Sequence, residues 1–191
     1  MSGSGNDDQE VRAKHATYSV LRERIVEHAF IAEVMRLLWL RDVVDIEVLR
    51  AEFDTSGYDL VMSSASVLRH IQLKVSLFDG ARSRVNINLK LGKCPSGCVL
   101  WIVVDHDLKA IEYRWFGGPP GEPLPDIEDR GVVRHTRANA LGLKAVRDGQ
   151  RSLSQSEFKS LNGLEAVIEQ LFGIERPKSS PHPDPHPHQS Q

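Results

Sequence analysis

Cysteine is scarce in this chain of 191 residues: Cys94 and Cys98 are the only two. Their Cys-Pro-Ser-Gly-Cys spacing is neither a disulfide framework nor the Cys-x-x-Cys pair of redox and zinc sites, so ordinary thiols are expected. Long apolar runs are missing as well; none approaches the ~18 residues that a bilayer-spanning helix requires, so no membrane is expected among the partners. The amino terminus, Met1 to Glu10, is small and acidic with no apolar run behind a basic start. It does not read as a secretion signal, and a cytoplasmic location is expected. Aromatic residues make up 6% of the chain, too few to favour a base-stacking surface, so Trp39, Trp101 and Trp115 are read as packing residues. No His-Glu-x-x-His zinc motif and no Gly-x-Ser-x-Gly elbow occurs, and Gly92-Lys93 is followed by Cys94 where a phosphate loop has Ser or Thr. A net charge of −2 gives no global attraction toward polyanions.

What is present is ordinary globular material, 40% apolar and 26% charged, enough for one core and too short for two comfortable ones. Three segments are expected: a flexible leader over 1–14, one α/β domain over 15–173, and a disordered tail over 174–191, where His182, His186 and His188 alternate with prolines. From Thr17 to about Arg41, apolar residues recur at Leu21, Ile25, Ala29 or Phe30, Val34 and Leu37 or Leu38, the period of a long helix packed along one stripe. The period then changes. Ile46–Phe53, Tyr58–Met62 and Leu68–Leu77 read as three antiparallel strands, the last alternating Ile71, Leu73, Val75 and Leu77 against His70, Gln72, Lys74 and Ser76.

Val85–Leu91 fits a short helix or a strand, because its apolar residues alternate. Cys98–Val104 is apolar on both faces, as expected of an interior strand covered by helices on both sides, and Ala110–Phe116 reads as its hairpin partner. The glycines and prolines of 117–125 cannot continue a sheet or a helix. A helix is expected within Arg134–Val146 and another over Gly163–Phe172, with a capping signature at Ser154 and Glu157 between them. The sum is an α-β-β-β-α-β order.

Polar residues sit in this frame where apolar ones would pack better. Asp59 stands at the start of the second strand, and Gln72 and Lys74 share a face of the third. A carboxylate and an amide oxygen on neighbouring strands suit the hard oxygen coordination of Mg²⁺, and an ammonium beside them could orient water and offset charge on phosphoryl oxygens. The simpler alternatives are a turn cap for Asp59 and an ordinary exposed face for Gln72 and Lys74.

With these residues the sequence resembles the PD-(D/E)xK nuclease superfamily, the restriction-endonuclease-like fold, over roughly Val20 to Phe116. Asp59 in Gly-Tyr-Asp-Leu matches the family's metal-binding Asp, and Gln72-Leu-Lys74 matches its (D/E)-x-K pair. The family often adds a glutamate from the first helix, for which Glu33 is the first choice and Glu27 the reserve. The resemblance implies a central mixed sheet flanked by helices and a metal-dependent phosphodiester hydrolase acting on DNA with Mg²⁺ or Mn²⁺. Its metal would be held by Asp59, Gln72 and Glu33, with Lys74 catalytic; a homodimer is compatible, since many double-strand cutters use two sites. The departure is Gln72, an amide where the family has an acid, which leaves open a weakened or degenerate site.

Basic residues supply the nucleic-acid side of the expectation. Arg84 and Lys90 lie in one cluster with Arg82 and Lys93, and Arg134, Arg137 and Lys144 lie in another between Arg130 and Arg151; phosphate contacts are expected from Arg84, Lys90, Arg134, Arg137 and Lys144. Asp54, His70, Asp105 and His106 are weaker site candidates. Two other readings stay open: a nuclease-fold protein that binds nucleic acid or a protein without cutting, and a structural or accessory protein unrelated to nucleases.

Overall fold

The structure, a computed structural model, describes residues 4–51, 53, 56–134 and 146–175. Its elements in chain order are α1 (Ser4–Thr17), α2 (Ser19–Trp39), β1 (Glu47–Arg50), β2 (Leu60–Ser64), β3 (Val67–Leu77), β4 (Arg84–Asn88), a 3₁₀ turn (Leu89–Lys93), β5 (Gly97–Val104), β6 (Ala110–Gly117), β7 (Gly131–Arg134), β8 (Val146–Ser154), β9 (Lys159–Leu161) and α3 (Gly163–Phe172). A six-stranded mixed sheet has the order β1-β2-β3-β5-β6-β9, and a three-stranded sheet has the order β4-β8-β7. Only the β3–β5 pair is parallel. No helix among the described residues is long and apolar enough to cross a membrane.

Strand alternation divides the core in two. Ile71 and Val75 of β3 and Cys98, Leu100, Ile102 and Val104 of β5 face α2 and α3. Val99, Trp101 and Val103 of β5 face Val85, Ile87 and Leu153 of the small sheet. Each fully buried aliphatic or aromatic side chain contributes about 1.5–3 kcal/mol, so β5, buried along its whole length, is the spine of the fold. The expected helix cover holds on one face only; on the other, the small sheet does the covering.

The crossover between the parallel strands is the second difference. No α-helix occurs there; β4 and the 3₁₀ turn make the connection, because the alternation of Val85 and Ile87 suits a strand with one buried face. Residues 4–14, expected in a flexible leader, are helical and continue through Thr17, with Arg12 paired to Asp79 at 3.1 Å and the His15 ring stacked 5.4 Å from that of His106. The helix expected within Arg134–Val146 falls mostly outside the described residues, as does the tail from 176 onward with its three histidines.

Both cysteines are buried free thiols, and burial pushes the Cys98 thiol up to about 12, which leaves it unreactive. The β2–β3 hairpin turns on Ala65 and Ser66, both at positive φ, where Asp45 accepts from the Ala65 N–H and the Ser64 hydroxyl and so compensates for missing glycine.

Candidate functional site

The site arises because β3 outruns β2. Leu60, the first residue of β2, lies opposite Ile71, whereas β3 continues to Leu77. Residues 72–77 therefore have no strand partner on that side, and their backbone groups must be satisfied otherwise. The Asp59 N–H donates to Ile71 O at 2.9 Å, the Leu73 N–H donates to Asp59 Oδ2 at 2.6 Å, and Arg82 Nη1 donates to Val75 O at 3.2 Å. A carboxylate and a guanidinium thus stand in for a missing strand.

Over this edge opens a cleft of about 300 Å³ lined by Val20, Glu23, Arg24, Glu27, Asp59, Leu73, Lys74, Val75 and Arg82. Because it lies at the margin of the sheet, it admits side chains from both faces, Glu27 from the helix side and Lys74 from the other. Gly57 sets the approach to Asp59. It sits at φ +81°, and a Cβ there would lie 2.5 Å from Asn88 Cβ, so only glycine lets β4 close against this turn.

Glu27 is 6% exposed and lies in line with Ile31, Val34 and Leu38, the buried stripe of α2. A buried carboxylate demands partners. Arg24 Nη1 reaches Glu27 Oε2 at 2.9 Å, and Arg50 Nε lies 3.2 Å from Oε1. The second contact is not aligned as a hydrogen bond, so Oε1 is a buried acceptor with no hydrogen-bond donor among the described residues.

Of the residues expected to form the site, Asp59 and Lys74 share the cleft, and Glu27 joins them. Glu33 does not. It pairs with Arg36 at 2.8 Å on an exposed part of α2 and borders a different, largely apolar groove with Phe30, Leu37, Ile102 and Tyr113. Six residues beyond Glu27 a helix has turned about 240°, which carries Glu33 away from the cleft. Gln72 is 5% exposed on the face turned toward the small sheet, and it does not line the cleft; its Oε1 has no hydrogen-bond partner among the described residues.

His70, on the same face, packs edge-on to Tyr58 at 5.0 Å, and burial lowers its pKa. Asp105 accepts from the N–H groups of Asp107 and Lys109 and so caps a turn, while His106 packs with His15 and Phe78 away from the cleft. Arg84 borders the pocket next to the cleft, and Lys90 borders a separate hollow with Lys93, Pro125 and Gly149. Arg137, Lys144, Asp54 and the side chain of Arg134 lie outside the described residues.

The sequence reading missed Glu23, Arg24 and Arg82. The available signal was the i, i+4, i+7 stripe running from Glu27, since the cleft-facing residues of α2 precede it by one turn.

No protein-family model matches the chain, and no curated protein is similar to it. The site therefore stands on its own chemistry. Among the described residues no group of three or more His, Cys, Asp or Glu gathers as a metal cage. The donor set still fits Mg²⁺, which takes one or two carboxylates and keeps waters or phosphate oxygens for the rest. Asp59 and Glu27 supply hard oxygens in one cleft; Glu27 Oε1 accepts no hydrogen bond among the described residues but lies 3.2 Å from Arg50 Nε, which a cation would have to displace.

Proposed function

We propose that this chain is a Mg²⁺- or Mn²⁺-dependent phosphodiester hydrolase acting on nucleic acid, DNA in the first instance, with its reacting position in the cleft beside β3. The observation that carries this reading is that Asp59, Lys74 and Glu27, from three separate parts of the chain, line one polar cleft. The element order supports a PD-(D/E)xK-like assignment: a helix, an antiparallel β1-β2-β3 unit and a β5 parallel to β3, with a strand in place of the usual crossover helix.

Asp59 and Glu27 would hold the cation, Asp59 oriented by the Leu73 N–H and Glu27 by two arginines. A divalent cation bound there would supply Lewis-acid polarisation of the phosphoryl oxygens and acidify water. Hydrolysis adds water to phosphorus, breaks the bond to the leaving oxygen, and passes a proton from the water to solvent and from solvent to the leaving group. Lys74 would orient that water and offset charge on the phosphoryl oxygens, and Arg24 and Arg82 on the cleft walls would share the second task.

A second reading, a nucleic-acid-binding protein of the same fold that does not cut, is favoured by one observation. The carboxylates are already engaged, Glu27 by Arg24 and Arg50 and Asp59 by a backbone N–H. Incubation with linear, branched and single-stranded DNA and with RNA, with Mg²⁺ or Mn²⁺ and beside Asp59→Ala and Lys74→Ala, separates the two. Cleavage lost in both folded variants supports the enzyme; binding without cleavage by the unmodified chain supports the second reading.

A further inference from the structure

Beside the cleft lies a second pocket, of about 250 Å³, walled by Lys74, Arg82, Arg84, Val85 and Asn86. Lys74 and Arg82 belong to both cavities, so the two adjoin across these side chains. Their electrostatics differ. The cleft sets Glu23, Glu27 and Asp59 against Arg24, Lys74 and Arg82, whereas among the described residues no carboxylate lines the pocket.

Arg82 and Arg84 are exposed, and neither forms an ion pair among the described residues. Elsewhere among the described residues most exposed guanidiniums are matched, as Arg12, Arg24, Arg36, Arg50 and Arg130 each have a carboxylate within 3.2 Å, while exposed Arg147 forms no ion pair there. The acid that feels Arg84 is Glu157. Burial alone would push its pKa up, but the Ser154 N–H and hydroxyl, then the charges of Arg130 and Arg84, hold it below the usual carboxylate range. Arg130 already pairs with Glu157 at 2.9 Å. Two unmatched guanidiniums and an ammonium around one concavity raise a local positive potential that an anion would relieve.

The surface beyond the pocket narrows the class of anion. Val85 and Ile87 point into the core, so Arg84, Asn86 and Asn88 lie on the outer face of β4, with Ser154, Ser152 and Gln150 opposite them on β8. This run of amides and hydroxyls has no aromatic on which a single-stranded base could stack. It is a sheet face, and among the described residues neither a helix nor a protruding ribbon stands on these two strands to enter a major groove. Short polar side chains beside cations suit the sugar-phosphate backbone instead.

We propose that the pocket bounded by Lys74, Arg82, Arg84 and Asn86 holds a backbone phosphate of duplex DNA next to the one addressed in the cleft, and that the outer face of β4 and β8 carries the duplex onward without reading its bases. The placement of the reacting phosphate rests on the function proposed above; the phosphate pocket itself is testable without it.

The test is binding of the full chain to a short labelled duplex in EDTA, followed by fluorescence anisotropy across a salt series. Arg84 makes no hydrogen bond among the described residues, so its removal should leave folding intact, and a thermal melt checks this. Arg84→Ala should weaken binding roughly tenfold near 0.1 M salt and lower the log–log salt slope by about 0.9, equally for unrelated sequences. Arg84→Lys should keep the slope. Unchanged affinity and slope in Arg84→Ala, a loss confined to one sequence, tighter binding of single strands than of duplex, or no binding by the unmodified chain would each overturn the proposal. Persisting Arg84-dependent binding by a chain that cuts nothing with Mg²⁺ or Mn²⁺ would remove the hydrolase reading and leave the pocket standing.

Discussion

Strand β3 carries a cation toward each end, and the two are housed in opposite ways. Arg69 is fully buried and forms no ion pair among the described residues, although the Glu122 charge offsets part of its desolvation. Its guanidinium donates to five oxygens: Leu171 O and Gln170 O at the end of α3, Gly118 O and Glu122 O in the proline-rich loop, and Ser96 Oγ. It also lies 5.4 Å over the Trp115 ring. The carbonyl end of α3 supplies the compensating negative potential. Lys74, five residues on, lines two open cavities among partly exposed charges. A cation tied to backbone carbonyls on every side fixes a fold, whereas one facing an open concavity with exposed arginines is placed for something that comes from solution.

The contrast makes Arg69 the largest stability determinant of the pair. Arg69→Met leaves several buried carbonyls without donors at about 1–3 kcal/mol each, so a loss of about 4 kcal/mol or more is expected in urea unfolding. A loss below about 1 kcal/mol would break the comparison. Lys74→Ala should do the reverse, shifting stability by less than about 1 kcal/mol while lowering cleavage by about 10²-fold or more, the scale of a lost charge-stabilising group.

The helix gives a sharper, smaller test. Glu27→Gln should weaken Mn²⁺ binding, read by titration calorimetry, and slow cleavage by about tenfold or more, because it removes one of the two proposed cation ligands. Glu33→Gln should leave both within about twofold, as its carboxylate faces a different groove and contributes only an exposed, solvent-screened ion pair.

The smallest expected effect is on acid stability. Burial holds the His15 and His70 imidazoles below their usual pKa, and His106 and Arg22 add to the shift at His15. A lowered folded-state pKa means that the unfolded chain takes up the proton first. Stability should therefore be complete above about pH 6.5 and fall as pH drops below it, until the folded-state values are passed. His15→Gln should flatten part of that slope in thermal melts; an unchanged slope would show that α1 does not couple to the body through His15.

Much of the fold was legible because periodicity reports burial directly. Gly163–Phe172 is helical over the expected residues, with Gly173 in the left-handed conformation that ends it, whereas the alternation along β3 is broken at Gln72, which is buried, and Leu73, which is half-buried. What periodicity cannot say is what covers a face. The two-sided burial of β5 required a cover, but whether helix or sheet supplied it depended on the pairing of β8 with β4, more than 60 residues away in sequence.

The site was half legible for a related reason. Asp59 and Lys74 stood out as polar residues in strands, and both reach the cleft. Gln72 shares a face with Lys74, yet burial under the small sheet takes it out of the lining, which strand spacing alone could not reveal. In the sequence reading, Glu33 stands ahead of Glu27 only on its expected distance from the sheet. On the helix it is Glu27 that lines up with Ile31, Val34 and Leu38.

The most direct test pairs two readings on one preparation of Lys74→Ala: its unfolding free energy, and its rate of cutting duplex DNA with Mn²⁺ relative to the unmodified chain. The account predicts near-native stability with cutting slowed by about 10²-fold or more. Equal cutting rates, or an unmodified chain that cuts no nucleic acid under these conditions, would contradict it.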